Sequence, residues 1–252
     1  MTTSAESVSC PNCRAEGASR FCPCCGQDNR RGRLDARSVL ADAVQNLVGW
    51  DTALVRTLRG MARAPGTTAA EFVDGRRRRY VNPARFALIS LALWFLLTKL
   101  FGLDVMDVSG IRITNSSGNV QGLVDEIRGF LARNLQLLLY LALPLRAFIL
   151  RFMFKGSGRN LAECLVLVLF VAGFTYLLRT VTTPLFAFGC DWIAKVNMLI
   201  ALVWSILGAH GFFGRSWFQT IWRVLCVTFL HTVGTLIFFA CVAVPWALWL
   251  NG

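Results

Sequence analysis

Apolar residues dominate the chain from residue 84 to its end and form runs long enough to cross a lipid bilayer. A transmembrane helix needs roughly 20 consecutive, mostly apolar residues. Arg133, Pro144 and Arg146 interrupt the second run, which makes it the least regular of the set. The pattern predicts an all-α polytopic membrane protein whose membrane domain covers 84–250. About five transmembrane helices are expected, near 84–100, 130–150, 161–178, 192–213 and 221–250.

The segment 35–83 also shows helical periodicity, but in stretches too short to cross a membrane. Between residues 35 and 50 the apolar positions recur at i, i+3, i+4 and i+7, which predicts an amphipathic helix. A second helix is expected to end at Pro65. A third is expected to start at Thr68, which forms a capping-box pattern with Glu71. We expect these amphipathic helices to lie at the membrane interface or to pack against the membrane domain.

Four cysteines near the N-terminus form two C-x-x-C pairs, Cys10 with Cys13 and Cys22 with Cys25. Four thiolates at this spacing can surround one Zn²⁺ ion as a tetrahedron. A site with four protein ligands is closed, so its metal is structural rather than catalytic. The sequence therefore predicts a small zinc ribbon over residues 10–27, with Zn²⁺ as its cofactor.

The spacing leaves the fourth ligand and the metal open. Cys24 could replace Cys25 in the second pair, and an iron–sulfur cluster or a redox disulfide are alternatives to zinc. Residues 1–9 are expected to be disordered, and 28–34 to form a basic linker. The other cysteines lie in apolar sequence and are expected to act as small hydrophobic residues.

The basic residues predict how the chain is oriented in the membrane. The net charge is +12, and arginines are concentrated before the first span, between the second and third, and between the fourth and fifth. Because basic loops stay on the cytoplasmic side, the N-terminus is expected inside and the C-terminus outside. No signal-peptide pattern precedes the cysteines. We therefore expect them in the reducing cytosol, where C-x-x-C pairs favour metal over disulfide.

A run of arginines precedes the first span and is expected to meet anionic lipid headgroups. A specific lipid-phosphate site, or an acidic surface of a protein partner, is the alternative. Nucleic acid is not an expected partner, because the ribbon's own basic residues, Arg14 and Arg20, are too few for a phosphate track. The residues expected at the membrane interface are Arg76, Arg77, Arg78, Arg79, Tyr80 and Arg85.

Two stretches combine glycine, proline, aromatic and charged residues at specific spacings. One, between Thr57 and Pro83, reads T-L-x-x-M-x-x-x-P-G and then E-F-x-x-G-R-x-x-x-Y-x-x-P. The other, between Cys10 and Gln27, reads C-P-x-C and then F-C-x-x-C-G-Q. Together they resemble an uncharacterised bacterial membrane family, a domain-of-unknown-function family whose members join an N-terminal zinc ribbon to several transmembrane helices.

The resemblance implies the same architecture and a location in the bacterial inner membrane. It implies no reaction, because the function of that family is not established. Members often open the third span with Glu-His, whereas this chain has Glu163-Cys164. Any role of that histidine is therefore expected to be missing here.

The sequence contains no Walker loop, nucleophile elbow, H-E-x-x-H or G-x-G-x-x-G motif, which favours a non-enzymatic role. We expect an adaptor or assembly factor whose zinc ribbon engages a cytoplasmic protein partner. A lipid- or peptide-modifying enzyme would have to use Glu163, Asp191 or Arg179. No feature of the sequence indicates an oligomeric state.

A small-solute transporter or channel with a regulatory ribbon is the alternative, and a polar cavity among the spans would favour it. Ion-coupled transporters place ionisable residues at mid-membrane. Here we expect Glu163 to open a helix, and His210 and His231 to make helix-to-helix hydrogen bonds. The charged residues expected near span ends are Lys99, Arg133, Arg146, Glu163, Arg179, Asp191 and Lys195.

Overall fold

A computed structural model describes five ranges of the chain: 9–16, 21–27, 52–104, 121–190 and 192–251. Within these ranges the protein is all-helical, with 78% of residues in helices and no strand. The predicted helix at 35–50, the basic linker and nearly all of the segment predicted to be disordered lie outside the described residues.

The described residues form seven α-helices, and four of them are long and apolar enough to cross a membrane. These four, α3, α5, α6 and α7, indicate a multi-pass membrane protein, and the all-α class predicted from the sequence is confirmed. A 3₁₀ turn, Arg77–Arg79, links α2 to α3. The helices are α1 (Thr52–Arg63), α2 (Pro65–Val73), α3 (Pro83–Leu100), α4 (Gln121–Met153), α5 (Leu161–Ala187), α6 (Trp192–Phe213) and α7 (Trp217–Asn251).

The second predicted span lies in α4, which is not among those four helices. α4 runs through Pro144 without a break and contains 33 residues. At a rise of about 1.5 Å per residue it is about 50 Å long, which is enough to cross a bilayer. The five-span arrangement therefore stays a prediction.

The boundary between α1 and α2 differs from the sequence-based expectation. The Thr68 and Glu71 pattern predicts a helix that starts at Thr68, but α2 starts at Pro65. Proline suits the first turn of a helix because its missing N–H would have no helical partner there. The Thr68 hydroxyl instead donates to the carbonyl oxygen of Ala64, at 3.0 Å.

α5 is the central helix of the bundle and contacts α2, α3, α4 and α6. Phe170 of α5 is fully buried, and Phe72 of α2 meets its ring edge-on with ring centres 5.5 Å apart. Gly173 lets α3 approach closely, because a Cβ there would lie 2.5 Å from the ring of Phe86. α4 packs along both α5 and α7.

α2 packs on α6 through glycines. A Cβ on Gly66 would lie 2.4 Å from the carbonyl oxygen of Gly208 and 2.6 Å from the Cα of Gly211. Trp204 of α6 also donates its indole N–H to the carbonyl oxygen of Met61 in α1, at 2.9 Å. α1 and α2 are thus part of the helical bundle. We call the end of the bundle where they lie the basic end, because it also carries Arg151, Lys155, Arg159 and Arg215.

The outer face of α7 carries large apolar side chains that are exposed. Phe218 is 83% exposed, Phe229 68% and Leu236 60%. In water, a continuous apolar surface of this extent would be unfavourable. Its place on a helix long enough to cross a membrane fits a surface that faces lipid tails.

Candidate metal centre and membrane cavity

Each C-x-x-C pair lies on the same kind of tight turn. The backbone N–H of Arg14 donates to the carbonyl oxygen of Cys10 at 2.8 Å, and that of Gly26 donates to Cys22 at 2.7 Å. Arg14 and Gly26 both have left-handed backbone, with φ of 61° and 69°. Two copies of one turn therefore direct their cysteine side chains toward a common point.

The sulfur atoms of the four predicted ligands lie within 4.8 Å of one another. Cys10 and Cys25 have sulfurs 3.7 Å apart, and Cys13 and Cys22 have sulfurs 3.5 Å apart. Four sulfurs bound at about 2.3 Å to a tetrahedral metal ion are separated by about 3.8 Å. The cluster could therefore hold a metal ion, and its spacing fits a tetrahedral site with four sulfur ligands.

The surroundings of the cluster favour a thiolate at Cys22. The backbone N–H of Cys25, with help from that of Cys24 and from neighbouring thiols, lowers the pKa of Cys22 to about 6. At Cys13 the backbone of Ala15 lowers the pKa, but desolvation and the other three thiols raise it to about 12. Thiols this close oppose one another's ionisation, and a bound cation would remove that opposition because metals bind thiolates.

Cys24 lies outside the cluster. It is exposed, whereas the sulfur of the adjacent Cys25 belongs to the group of four. The sequence leaves either residue open as the fourth ligand, and in the structure the sulfur of Cys25 is the one that lies with the other three. The reason is the turn itself, since the N–H groups of both residues face Cys22 while only one side chain points inward.

The cysteine turns rest on the segment that follows α2. Gln27 donates its side-chain amide to the carbonyl oxygen of Gly75, and Arg78 donates to the carbonyl oxygen of Gly26 at 3.2 Å. Pro11 also packs on Gly75, where a Cβ would lie 3.1 Å from the proline ring. The candidate metal centre is thus in direct contact with the helical bundle.

Glu71 holds the connection between α2 and α3 with both carboxylate oxygens. Arg76 donates to Oε1 at 2.8 Å, and the Tyr80 hydroxyl donates to Oε2 at 2.6 Å. The chain then reaches Asn82, whose side chain caps α3 by accepting from the N–H of Ala84 at 2.9 Å. These contacts give a structural role to the charged and aromatic positions of the E-F-x-x-G-R-x-x-x-Y-x-x-P pattern.

The residues predicted to meet lipid headgroups have different surroundings. Arg76 and Tyr80 are bound to the α2 carboxylate, and Tyr80 is buried. Arg78 contacts the cysteine turns, while the guanidinium of Arg79 is exposed and lies 5.7 Å from the ring centre of Tyr80. Lipid contact stays a prediction for this set, which has two further members, Arg77 and Arg85.

Arg159 ties the start of α5 to α2. It pairs with Asp74 at 2.7 Å, and its guanidinium lies 4.8 Å from the ring centre of Phe212. Asn160 and Glu163 then form a capping box, which confirms that Glu163 opens a helix. This carboxylate therefore has a structural task. Asp191, also considered for catalysis, lies outside the described residues.

A cavity of about 140 Å³ lies between α4, α5, α6 and α7. Arg146 donates a hydrogen bond to Ser205 in its wall, at 2.9 Å. None of the described side chains that line the cavity is acidic. Much of the lining is aliphatic, and its polar members are Arg146, Thr175, Tyr176, Arg179, Ser205, His231 and Thr235.

The prediction that Arg146 and Arg179 lie near span ends stays a prediction, but both helices extend further than the sequence-based bounds of 150 and 178. α4 continues to Met153 and α5 to Ala187, so each arginine lies about two helical turns inside its helix. The guanidinium of Arg179 is 5.8 Å from the ring centre of Trp94, a cation–π distance that helps a charge to lie among apolar residues. The hydrophobic pattern placed the two arginines closer to the helix ends than they are, because it ended the second span at 150 and the third at 178.

The two histidines have separate surroundings. His231 lines the cavity, whereas His210 stacks on Trp217 with ring centres 3.7 Å apart. The predicted helix-to-helix hydrogen bonds are not among the described contacts of either residue. Within the described residues, the group able to hold a metal ion is the cysteine cluster.

Comparison with protein families gives one match. The model of a family described as Protein of unknown function (DUF3667) matches residues 51–95. This part of the chain contains α1, α2, the 3₁₀ turn and most of α3, and so includes the contacts of Gly66 and Glu71. Over this stretch the chain is similar to an uncharacterised family, as the resemblance predicts. The cysteine turns lie outside the matched residues. Comparisons with curated proteins and with solved structures give no match.

Proposed function

We propose that the protein is a non-enzymatic adaptor or assembly factor of the bacterial inner membrane, with a zinc-binding head in the cytoplasm. The head is the segment 10–27 with its two cysteine turns. In this arrangement α4 is also a span, the second along the chain, which brings the number of spans to five. The clustering of basic residues at one end of the bundle supports a cytoplasmic basic end and an external C-terminus. The cysteine turns contact that same end through Arg78 and Gly75.

Zinc is supported by the identity and spacing of the ligands. Four thiolates within 4.8 Å of one another suit a closed tetrahedral site. A segment of this size has too few residues for a core of its own, so the metal would supply the stability that holds its shape. The metal would therefore be structural, and the head would act through its surface.

The observation that carries the adaptor role is the one-sided attachment of this head. Gly26 and Gln27 face the bundle, whereas Phe21 is 54% exposed and Cys13 is exposed as well. An aromatic side chain displayed on a small rigid unit is typical of protein docking surfaces. The proposed partner is a cytoplasmic protein that contacts the exposed side.

The test compares the full-length protein with a Cys10→Ser/Cys25→Ser double variant and with Cys24→Ser as the matched control. We expect about one zinc per chain in the native protein and the control, and none in the double variant. Less than roughly half a zinc per chain, from preparations never exposed to chelator, would refute the metal assignment. We also expect all three proteins to insert into membranes, and co-purifying partners to be lost only from the double variant. Unchanged partners in that variant would rule out the adaptor role.

A small-solute transporter or channel is the second candidate, and the cavity beside Arg146 favours it. Ionisable residues inside a helical bundle often mark a substrate or ion pathway. The reconstituted protein should then carry solute into liposomes faster than empty liposomes admit it, and Arg146→Gln should abolish the difference. Equal uptake by liposomes with and without the protein would exclude this candidate and would not bear on the adaptor role.

A further inference from the structure

Arg146 brings a permanent positive charge into the interior of the bundle. Its described hydrogen-bond partner, Ser205, is neutral, and the Ser205 hydroxyl gives its own hydrogen to the carbonyl oxygen of Ala201 at 2.6 Å. A guanidinium carries five N–H donors and stays protonated in proteins. Burial of such a charge is costly unless an anion accompanies it. No described side chain of the lining is acidic, so a bound anion would supply a compensating negative charge that these residues do not.

α7 adds two polar atoms to the same cavity. Thr228 and Thr232 donate their hydroxyls to the carbonyl oxygens of Val224 and Thr228, each at 2.9 Å. The buried hydroxyl of Thr235 has no such partner in the described part of the chain, and neither has Nδ1 of His231. Both residues line the cavity. Buried polar atoms without a protein partner commonly mark a bound water, ion or ligand.

These groups approach the cavity from different helices. His231 and Thr235 are four residues apart and so share one face of α7. Gly234, between them, brings α7 close to α4, since a Cβ there would lie 3.2 Å from the side chain of Leu145, the neighbour of Arg146. Donors that converge from several directions suit a tetrahedral oxyanion better than a planar carboxylate. The arginine fork also matches the spacing of phosphate oxygens.

We propose that this cavity is a binding site for a phosphate group, held by Arg146 together with His231 and Thr235. Ser205 orients the guanidinium, and Arg179, which stacks near Trp94, adds positive potential without contact. The volume of about 140 Å³ is well above the roughly 10–15 Å³ that one water needs on the same measure. The site is independent of the adaptor role and of the metal centre. Two kinds of ligand could supply the phosphate group. One is free phosphate or a soluble phosphate ester, and the other is the headgroup of a membrane phospholipid.

The first experiment separates these two sources with the full-length protein in uncharged detergent. Native mass spectrometry shows whether a phospholipid remains bound after purification. The delipidated protein is then titrated with inorganic phosphate, with chloride at matched ionic strength as the control, and its melting temperature is followed. A retained phospholipid identifies the lipid source, whereas a phosphate-specific rise in melting temperature identifies the soluble one.

The second experiment assigns the binding to the cavity. Arg146→Gln should weaken phosphate binding at least tenfold, or remove most of the retained lipid, whereas Arg146→Lys should keep part of either signal. Arg215→Gln is the matched control, because Arg215 lies at the basic end and donates to Gly156. If Arg146→Gln does not fold, His231→Ala and Thr235→Val should each weaken binding at least threefold. The proposal is overturned if the native protein binds neither ligand, or if the cavity variants bind as the control does.

Discussion

Arg78 and Gly26, 52 positions apart in the chain, are joined by a hydrogen bond of 3.2 Å from the arginine guanidinium to the glycine carbonyl oxygen. The bond connects the second cysteine turn to the 3₁₀ turn between α2 and α3. Gln27 adds a bond to Gly75 next to it. Together with the packing of Pro11 on Gly75, these two hydrogen bonds are the described contacts between the head and the bundle, so the loss of one of them should weaken the attachment measurably.

Arg78→Ala should loosen the head without disturbing its cysteine cluster. A hydrogen bond of this kind contributes about 0.5–1.5 kcal/mol, so the fraction of detached heads should rise several-fold. Amide hydrogen exchange in residues 21–27 would report the change, with zinc content unaffected. Arg79→Ala is the control, because Arg79 is exposed and its guanidinium lies over Tyr80. Equal exchange in the two variants would contradict the proposed contact.

Arg14→Gly should strengthen the metal site. Arg14 has φ of 61°, a left-handed conformation that costs about 1–2 kcal/mol for a residue with a side chain and little for glycine. The equivalent position in the second cysteine turn is Gly26, which is already a glycine. We expect slower zinc release to a chelator from Arg14→Gly, and faster release from Gly26→Ala, whose Cβ would also lie 3.1 Å from Arg78. Faster release from Arg14→Gly would show that the turn is not strained.

Local patterns predicted most of the helices and the grouping of the four cysteines, because the cause of each lies within a few residues. The start of α5 follows from Asn160 and Glu163, and the cysteine cluster follows from two short spacings. The cavity could not be predicted in this way. It depends on how four helices are rotated against one another, and no single stretch encodes that rotation. The contact of Arg179 with Trp94 could not be predicted for the same reason, since Trp94 lies on another helix.

Glu71 and Tyr80 should be coupled in stability. Glu71→Gln should destabilise the protein by about 1–3 kcal/mol, because it weakens two hydrogen bonds to a charged carboxylate. Tyr80→Phe should cost about 1 kcal/mol, and the double variant less than the sum. Thermal unfolding in detergent measures all three. Asp74→Asn is the matched control. Asp74 pairs with Arg159 but its side chain is 59% exposed, so its cost should stay below about 1 kcal/mol.

Gly66→Ala should separate α2 from α6. The added Cβ would lie 2.4 Å from the carbonyl oxygen of Gly208 and 2.6 Å from the backbone nitrogen of Phe212. These are backbone atoms, so no side chain can turn aside and one helix has to move. Overpacking of this kind costs about 1–3 kcal/mol. We expect a lower melting temperature and the loss of the hydrogen bond from Trp204 to Met61, seen as a shift in tryptophan fluorescence.

Gly129→Ala is the natural comparison for this substitution. Gly129 also lies in a helix, α4, but a Cβ there would meet nothing within 4 Å. Alanine is favoured over glycine inside a helix by about 0.5–1 kcal/mol, so Gly129→Ala should raise the melting temperature slightly. A lower melting temperature for Gly66→Ala together with a higher one for Gly129→Ala would show that Gly66 is required for the approach of α2 to α6. If both substitutions raised the melting temperature, α2 would not pack closely against α6.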